Sequence, residues 1–313
     1  MTASHQAHRD GMKQQPREGD TVSGILNLNK PAGPTSHDVV ARVRRLAQQR
    51  QVGHAGTLDP MATGVLVICL GKATRLIEYL ADGRKTYLAT VRFGLVTDTW
   101  DAEGQVIERH ECGELPLGAI EPALAAFRGM IEQVPPMYSA LKHDGQPLYR
   151  LARQGLTVER EPRRVEIYDL RIMAWRYPDL TLQLECSKGT YVRALAYDLG
   201  RAVGAGAHLA ALVRLAVGRF PLSEAASLET LEAGEVAGSW KRYLRPLQAA
   251  LGDMPCAIVD EETARRISFG QQVALDLPED AELGCAYTDD QRLLAILKRS
   301  PQSGLWQPDK VLS

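Results

Sequence analysis

The sequence predicts a mixed α/β protein with a large first domain and a small β-rich second one. Strand-like and helix-like segments are intermixed as far as about residue 220. After roughly Leu247 the chain becomes acidic and turn-rich, with short apolar runs such as CAIVD and RLLAILKR. The composition, 45% hydrophobic and 24% charged over 313 residues, suits a globular chain of this organisation. We expect domains at 23–248 and 249–313, preceded by a polar, disordered segment at 1–22.

In the first quarter of the chain, strands and helices are expected on both sides of a glycine-rich loop. SGILNLNK reads as a strand that runs into a Pro/Gly turn. Ser36 is a candidate N-cap for a helix to about Arg50. One face of this helix is apolar, with Val39, Val40, Val43 and Leu46. GVLVICLG has the length and the branched residues of a buried strand, and KATRLIEYLADG predicts a helix that ends at Gly83.

Further along, alternation and helical spacing continue to interleave. KTYLATVRFG predicts a strand with one buried face, formed by Tyr87, Ala89, Val91 and Phe93. LGAIEPALAAFRGM predicts a helix. LTLQLECSKGTYVRALAYDLGRAVG reads as a strand, a tight turn and a helix, with Thr190 as the candidate cap.

The net charge of −1 conceals an asymmetry. From Leu251 onward there are 11 acidic residues against 6 Lys and Arg, a balance of −5, which leaves 31 basic against 27 acidic residues before it. Two segments are locally basic: VVARVRRLAQQR, with Arg42 and Arg45, and LKHDGQPLYRLARQGLTVEREPRR, with Lys142, Arg150 and Arg153. Such clusters are typical of a phosphate-binding surface, but also of an ordinary solvated one.

The sequence contains no complete motif for binding a nucleotide cofactor or a metal ion. The five cysteines are scattered without a C-x-x-C, which predicts reduced thiols in a cytoplasmic protein and no zinc site. GVLVICLGKAT lacks the first glycine and the Ser/Thr of a phosphate loop, and GAGAHL follows a helix where a dinucleotide fingerprint follows a strand. We expect no cofactor, no metal and no membrane span.

One loop, GHAGTLDPMATG, attracts attention because it contains a single carboxylate, Asp59. Its glycines permit unusual backbone geometry and a close approach by another molecule. Pro60 disfavours helical geometry at Asp59, and His54 lies nearby in the sequence. Either the loop presents a reactive carboxylate in a cleft, or Asp59 caps its own backbone in an Asx turn.

Six segments in order resemble the TruB-type tRNA pseudouridine synthases, which convert the uridine at position 55 in the T-loop of tRNA to pseudouridine. The loop with its extension, GHAGTLDPMATGVLVICLGKATR, resembles their catalytic motif. The others are LNLNKPAGPTSHDVV, KTYLATVRFGLVTDTWDAEG, VPPMYSALKHDGQPLYRLARQG, CSKGTYVRALAYDLG and GAGAHLAALVRLAVGRF. The resemblance implies a catalytic domain with a central, largely antiparallel mixed sheet, an RNA-clamping insertion at about 134–164, and a PUA-like C-terminal domain.

The resemblance also implies roles for individual residues. Asp59 matches the catalytic nucleophile, Arg193 the arginine that pairs with it, and Tyr87 the tyrosine that stacks on the target base. A buried aspartate needs such a cation, because burial alone raises the pKa of a carboxyl group. Other matched residues are expected to bind substrate or RNA: His54, Lys30, Lys188, Tyr191 and Leu215. For Lys30, together with Pro31, support of the pocket is the expected contribution.

The implied partner is the T-arm stem-loop of tRNA, bound by a monomer. A uridine in a folded T-loop must be flipped out, at a cost of a few kcal/mol. The basic residues Arg42, Arg45, Lys142, Arg150 and Arg153 are then expected to contact the RNA backbone. The acidic tail predicts a weak contribution to this binding.

Two other functions compete. An RNA-binding folding factor of the same fold would not need Asp59, Tyr87 and Arg193 together. A carboxylate-based hydrolase of glycosidic bonds would need a second catalytic carboxylate, and none is evident near Asp59.

Overall fold

In this computed structural model, which describes residues 21–111, 113, 115–233 and 238–312, strands and helices alternate from the first strand onward. The expected disordered segment 1–22 lies, except for its last two residues, outside the described residues. The first elements are β1 Gly24–Lys30, α1 Ser36–Ala47, β2 Val52–His54, β3 Thr63–Leu70, α2 Ile77–Asp82, β4 Lys85–Phe93, β5 Leu95–Thr97, β6 Val106–Arg109 and α3 Leu117–Ala125.

The next elements complete the large domain. They are β7 Gly129–Gln133, β8 Lys142–His143, β9 Gln146–Pro147, α4 Leu148–Arg153, β10 Arg163–Arg176, β11 Asp179–Cys186, α5 Val192–Ala202, β12 Ala207–Val217, β13 Phe220–Pro221, β14 Ala226–Ser227 and α6 Leu228–Glu232. The short elements β8, β9 and α4 lie within the expected insertion between β7 and β10. A six-residue 3-10 helix, Gly71–Leu76, precedes α2 in the region where the sequence predicts one continuous helix.

A ten-stranded mixed sheet forms the centre of the large domain. Its order is β14-β1-β3-β12-β4-β11-β10-β7, with β2 on β3 and β13 on β12. The pairs β1–β14 and β3–β12 are parallel and the others are antiparallel, which confirms the predicted mixed fold. At the short β3–β12 contact Gly64 has φ +100°, and a Cβ there would lie 2.3 Å from the Arg214 carbonyl oxygen. Only glycine fits this close approach.

The alternation predicted for β4 is confirmed, since Tyr87, Ala89, Val91 and Phe93 are all buried. They share one apolar cluster with Leu195 and Leu199, so this face of the sheet packs against α5. Tyr191 occupies the N-cap position of this helix, but its side chain forms no capping hydrogen bond. The hydroxyl of the predicted cap, Thr190, instead donates to the Ser187 carbonyl within the turn (3.0 Å).

The start of α1 differs from the prediction by one residue. Thr35 is the N-cap and forms a capping box with Asp38, whereas Ser36 is the first helical residue. The Ser36 hydroxyl accepts from the Leu58 amide (2.9 Å) and donates to the Leu58 carbonyl (3.0 Å). The residue expected to cap the helix therefore anchors the glycine-rich loop.

The C-terminal part forms a four-stranded sheet with one helix. Its elements are β15 Cys256–Val259, α7 Glu261–Ser268, β16 Leu283–Thr288, β17 Leu293–Arg299 and β18 Trp306–Val311. This sheet contacts the region of α2, where the Tyr79 hydroxyl donates to Asp309 (2.5 Å) and Lys310 pairs with Glu78 (2.9 Å). The small β-rich second domain is thus confirmed. In the described part of the chain, no helix is long and apolar enough to span a membrane.

The expectation of uniformly reduced thiols is wrong for one pair. Cys256 and Cys285 form a disulfide, with their Cα atoms 4.4 Å apart. They are register partners on the parallel strands β15 and β16, although 29 residues separate them in the sequence. Cys69 and Cys186 are buried free thiols. Scattered spacing therefore concealed a contact that strand pairing creates.

Candidate active site

The loop between β2 and β3 presents Asp59, and its backbone is held at every step. Each carbonyl from residue 56 to residue 60 accepts a hydrogen bond. The donors are Arg214 Nη2 to Gly56 (3.0 Å), Arg214 Nη1 to Thr57 (3.1 Å), Ser36 Oγ to Leu58 (3.0 Å), the Ala62 amide to Asp59 (3.1 Å) and Lys30 Nζ to Pro60 (3.0 Å). Because β1, α1 and β12 all contribute donors, the loop holds Asp59 in one position.

The Asp59 side chain forms a two-pronged ion pair with Arg193 at the start of α5. Arg193 Nε lies 3.0 Å from Oδ2, and Nη2 donates to Oδ1 at 3.3 Å. The arginine side chain is 5% exposed, whereas that of Asp59 is 33% exposed. Both carboxylate oxygens thus bind the guanidinium, in place of the loop amides that an Asx turn requires. The carboxylate is held from behind and remains accessible from one side.

A second carboxylate, Asp101, shares the same guanidinium. Its Oδ2 accepts from Arg193 Nη1 at 3.2 Å, and its side chain is 4% exposed. The Thr99 hydroxyl (2.6 Å) and the Glu103 amide (3.1 Å) donate to its other oxygen. Sequence reasoning missed Asp101, because nothing in TDTWDAEG distinguishes it from the neighbouring acids Asp98 and Glu103.

The charges around Asp59 oppose one another. Burial raises the pKa of Asp59 above its ordinary value, and the negative charge of Asp101 adds to the rise. Arg193 is the strongest opposing charge, and Lys30 and Arg214 also lower the pKa. Ionisation of Asp59 therefore depends chiefly on its contact with Arg193.

Tyr87 forms one wall of the site together with apolar side chains. It is 8% exposed and belongs to one cluster with Leu58 and Leu212. Burial raises the pKa of Tyr87, so its hydroxyl stays protonated at neutral pH. Leu215, the leucine expected to bind substrate, is the extra residue of a β-bulge between Arg214 and Ala216 and has no register partner on β4. Leu212, which alternation along β12 places on the same side as Arg214, belongs to the cluster of Tyr87 instead.

His54 and Tyr191 are each influenced by charged groups of this site, His54 by Arg214 and Tyr191 by Arg193 and Asp59. Burial lowers the pKa of His54 to about 4, helped by the charges of His37 and Arg214. A neutral His54 is not a cation for phosphate, and its buried Nδ1 has no hydrogen-bond partner among the described residues. Burial raises the pKa of Tyr191; the charge of Arg193 lowers this pKa and the charge of Asp59 raises it.

Two lysines of the predicted site, Lys30 and Lys188, have protein groups as their partners. Lys30 is fully buried, and its amine donates to the carbonyls of Pro31 (2.8 Å), Pro34 (2.8 Å) and Pro60 (3.0 Å). It supports the loop and cannot reach RNA. Lys188 is exposed and pairs with Asp82, the last residue of α2 (2.7 Å). Helix and loop packing, which one sequence does not reveal, decided both positions.

The basic clusters are largely at the surface. Arg42 donates from Nε to Glu232 (2.8 Å), so its charge is already paired. Arg153 lies 5.6 Å from the ring centroid of Tyr149. Four of the predicted RNA-contacting residues are exposed: Arg45, Lys142, Arg150 and Arg153.

Replacing Lys30 by methionine will lower the free energy of unfolding by about 2–4 kcal/mol, because buried carbonyls lose their charged donor. Urea unfolding at neutral pH measures the loss. Lys72→Met is the matched control, since Lys72 is exposed and only its backbone amide forms a described hydrogen bond. Equal stabilities of the two variants would contradict the supporting role of Lys30.

The fold and the Asp59–Arg193 pair define a protein of the pseudouridine synthase class. Among solved structures, Cbf5 in a Cbf5–Nop10–Gar1 complex superposes with a TM-score of 0.72. The match covers 93% of this chain and 85% of Cbf5, at 25% sequence identity. A second Cbf5 structure, with Nop10, has a TM-score of 0.70 at 23% identity over 96% and 89% of the two chains, and supports the fold alone.

Sequence comparisons narrow the class to one family. The family model for the N-terminal domain of TruB family pseudouridylate synthases matches residues 44–192, and the tRNA pseudouridylate synthase B C-terminal domain matches 193–252. A tRNA pseudouridine synthase B from Dehalococcoides mccartyi is 46% identical over 93% of this chain and 96% of its own length. Another from Symbiobacterium thermophilum is 49% identical over 82% and 85%. The chain therefore belongs to the TruB family of pseudouridylate synthases, as its motifs predicted, and is an isomerase.

Proposed function

We propose that this enzyme isomerises the uridine at position 55 in the T-loop of tRNA, with Asp59 as its catalytic nucleophile. The observation that carries the proposal is the Asp59 carboxylate, held at 3.0 Å from a buried guanidinium and one-third exposed on its other side. The names of the relatives support tRNA as the substrate. All the residues of the site come from one chain, so a monomer is sufficient for the reaction. We propose that this monomer acts in the cytoplasm.

The reaction breaks the bond between uracil N1 and the ribose and forms a bond from uracil C5 to the same sugar carbon. The proton lost from C5 is balanced by the proton gained at N1, so no oxidant or outside group is needed. Asp59 donates an electron pair to one of the two separated parts, the ribose or the uracil, and its bond to that part breaks again when the new carbon–carbon bond forms. Arg193 keeps the Asp59 carboxylate ionised. The protonated hydroxyl of Tyr87 serves proton transfer while its ring stacks on the base. Leu58 and Leu212 exclude water from this side.

Access to the uridine requires that it leaves the T-loop stack. The neutral ring of His54, whose Nδ1 has no partner in the described structure, suits insertion into the vacated space. The exposed cations Arg45, Lys142, Arg150 and Arg153 suit the RNA backbone, because phosphate contacts position the substrate. The acidic domain 249–313 is proposed to contribute weakly on the acceptor side. The boundaries at 248 and at 134–164 stay predictions.

The test is an unmodified T-arm hairpin incubated with the enzyme and analysed for pseudouridine at each position. We expect conversion of the position-55 uridine, and no product from a hairpin with cytidine at that position. Release of free uracil would instead indicate a hydrolase. Tight binding of the hairpin without any product would favour the RNA-folding factor.

A further inference from the structure

Trp100 adopts a backbone conformation that a bulky residue rarely takes, with φ at +63°. It lies in the loop between β5 and β6, directly between Thr99 and Asp101. Its neighbours both accept from the same nitrogen, Arg193 Nη1: the Thr99 carbonyl at 3.3 Å and the Asp101 carboxylate at 3.2 Å. The left-handed turn at Trp100 thus lets the two residues that flank it bind one guanidinium nitrogen.

An aromatic stack holds this turn in place. The ring of Trp100 lies on that of Tyr197, with centroids 4.3 Å apart and planes at 10°. Tyr197 follows Arg193 by four residues on α5, so both side chains project from the same helix face. The Trp100 carbonyl also accepts from the Leu209 amide of β12 (2.9 Å). The loop is therefore fixed to the helix that carries Arg193.

The same stack meets the 134–164 segment. The guanidinium of Arg160 lies 5.8 Å from the Trp100 ring centroid, and its Nη1 donates to the Pro135 carbonyl (3.2 Å). In that segment the Tyr138 carbonyl accepts from Arg193 Nη2 at 2.9 Å. Strained backbone persists only where the surrounding structure over-determines it. Around Trp100 that structure includes the Thr99, Asp101 and Tyr138 groups that bind Arg193.

We propose that Trp100 and Tyr197 are positioning residues, whose stack fixes Thr99 and Asp101 so that Arg193 stays seated on Asp59. Neither ring touches the reacting atoms; each acts through the arginine. The proposal rests on the function proposed for Asp59. Loss of the stack frees the Thr99–Asp101 turn, and the guanidinium then shifts away from the Asp59 carboxylate.

A displaced Arg193 has a consequence for the pH dependence of the reaction. The charged groups that act on Asp59 are Arg193 from α5, Asp101 from the β5–β6 loop, Lys30 from β1 and Arg214 from β12. Three further titratable groups interact with the charge of Asp59: Glu103 from the β5–β6 loop, Tyr87 from β4 and Tyr191 before α5. Burial and Asp101 raise the pKa of Asp59, and Arg193 opposes them most strongly. When Arg193 moves away, this pKa rises, so the loss of activity on acidification begins at higher pH.

The experiment compares Tyr197→Leu, which removes the stack, with Tyr197→Phe, which keeps it. Single-turnover rates on the T-arm hairpin are measured across pH, with binding and thermal melting in parallel. We expect Tyr197→Leu to slow the reaction about 10- to 100-fold, the scale for small misplacements of a catalytic group, with unchanged RNA affinity and an acidic limb at higher pH. Tyr197→Phe should retain the wild-type rate and the wild-type limb.

A second variant guards against misfolding of the first. Trp100→Gly keeps the left-handed backbone without strain but removes the ring, so it should reproduce the defect of Tyr197→Leu. A folded variant without the stack that shows the wild-type rate and limb would overturn the proposal. So would a rate loss that matches only the unfolded fraction, with the limb unmoved. If Asp59→Asn is inactive, such results refute positioning alone; if it is active, the proposed function itself has failed.

Discussion

The Asp59→Asn variant will bind an unmodified T-arm hairpin at least as tightly as the wild type, yet form pseudouridine at least roughly 10³-fold more slowly. Asparagine preserves the size of the side chain but cannot supply the negative charge and electron pair. The exposed cations expected to contact RNA belong to other parts of the surface, so binding survives. Removal of a negative charge near the RNA phosphates also weakens repulsion.

Asp82→Asn is the matched control, because it removes a carboxylate that pairs with an exposed lysine, Lys188, at a similar distance (2.7 Å). Its turnover should equal that of the wild type. Quench-flow sampling with a pseudouridine-specific readout gives the rate, and filter binding gives the affinity. Wild-type turnover by Asp59→Asn would mean that the glycine-rich loop does not exist to present a nucleophile.

Local sequence patterns were sufficient to predict a strand where buried residues recur at a regular spacing. The alternation in KTYLATVRFG predicted β4, because every second side chain faces the apolar layer beneath the sheet. The first residue of α1 could not be predicted from the local sequence alone. Thr35 and Ser36 carry equivalent capping groups, and the choice depends on Leu58, 22 residues further along, which binds the Ser36 hydroxyl. A long-range bond thus settled a local ambiguity.

The candidate site shows the same division. Asp59, Arg193 and Tyr87 were predicted from their motifs, and the structure brings the first two into contact and buries the third beside them. Asp101 and Leu212 were missed, since their importance arises from contacts with residues distant in the sequence: Asp101 with Arg193, 92 positions away, and Leu212 with the cluster of Tyr87. For Lys30 the expected contribution was support of the pocket, and the three carbonyls that accept from its amine are the contacts of a supporting residue.

The Arg193→Gln variant will lose both stability and activity. Its guanidinium contacts Asp59 and the buried Asp101, so its removal leaves a buried carboxylate without a counter-charge. Breaking such a pair from one side costs about 3–5 kcal/mol, which urea unfolding will measure. Turnover should fall by roughly 10³-fold, the scale on which electrostatic support of a reacting group acts.

The pH profile of this variant carries the stronger inference. Asp59 must be ionised to react, so activity is present above its pKa and lost as pH falls through it. Burial already raises the pKa of Asp59, and without Arg193 the rise is less opposed. The residual activity of Arg193→Gln should therefore appear only at higher pH than the activity of the wild type. A loss of stability alone would instead lower the activity equally at every pH.

The double variant Arg193→Gln with Asp101→Asn separates the two losses. It removes the buried carboxylate that the single variant leaves unpaired, so the free energy of unfolding should recover in part. Activity should not recover, because Asp59 still lacks its cation. If the double variant regained turnover together with stability, the arginine would be a structural counter-ion of Asp101, and ionisation of Asp59 would depend on Lys30 and Arg214 instead.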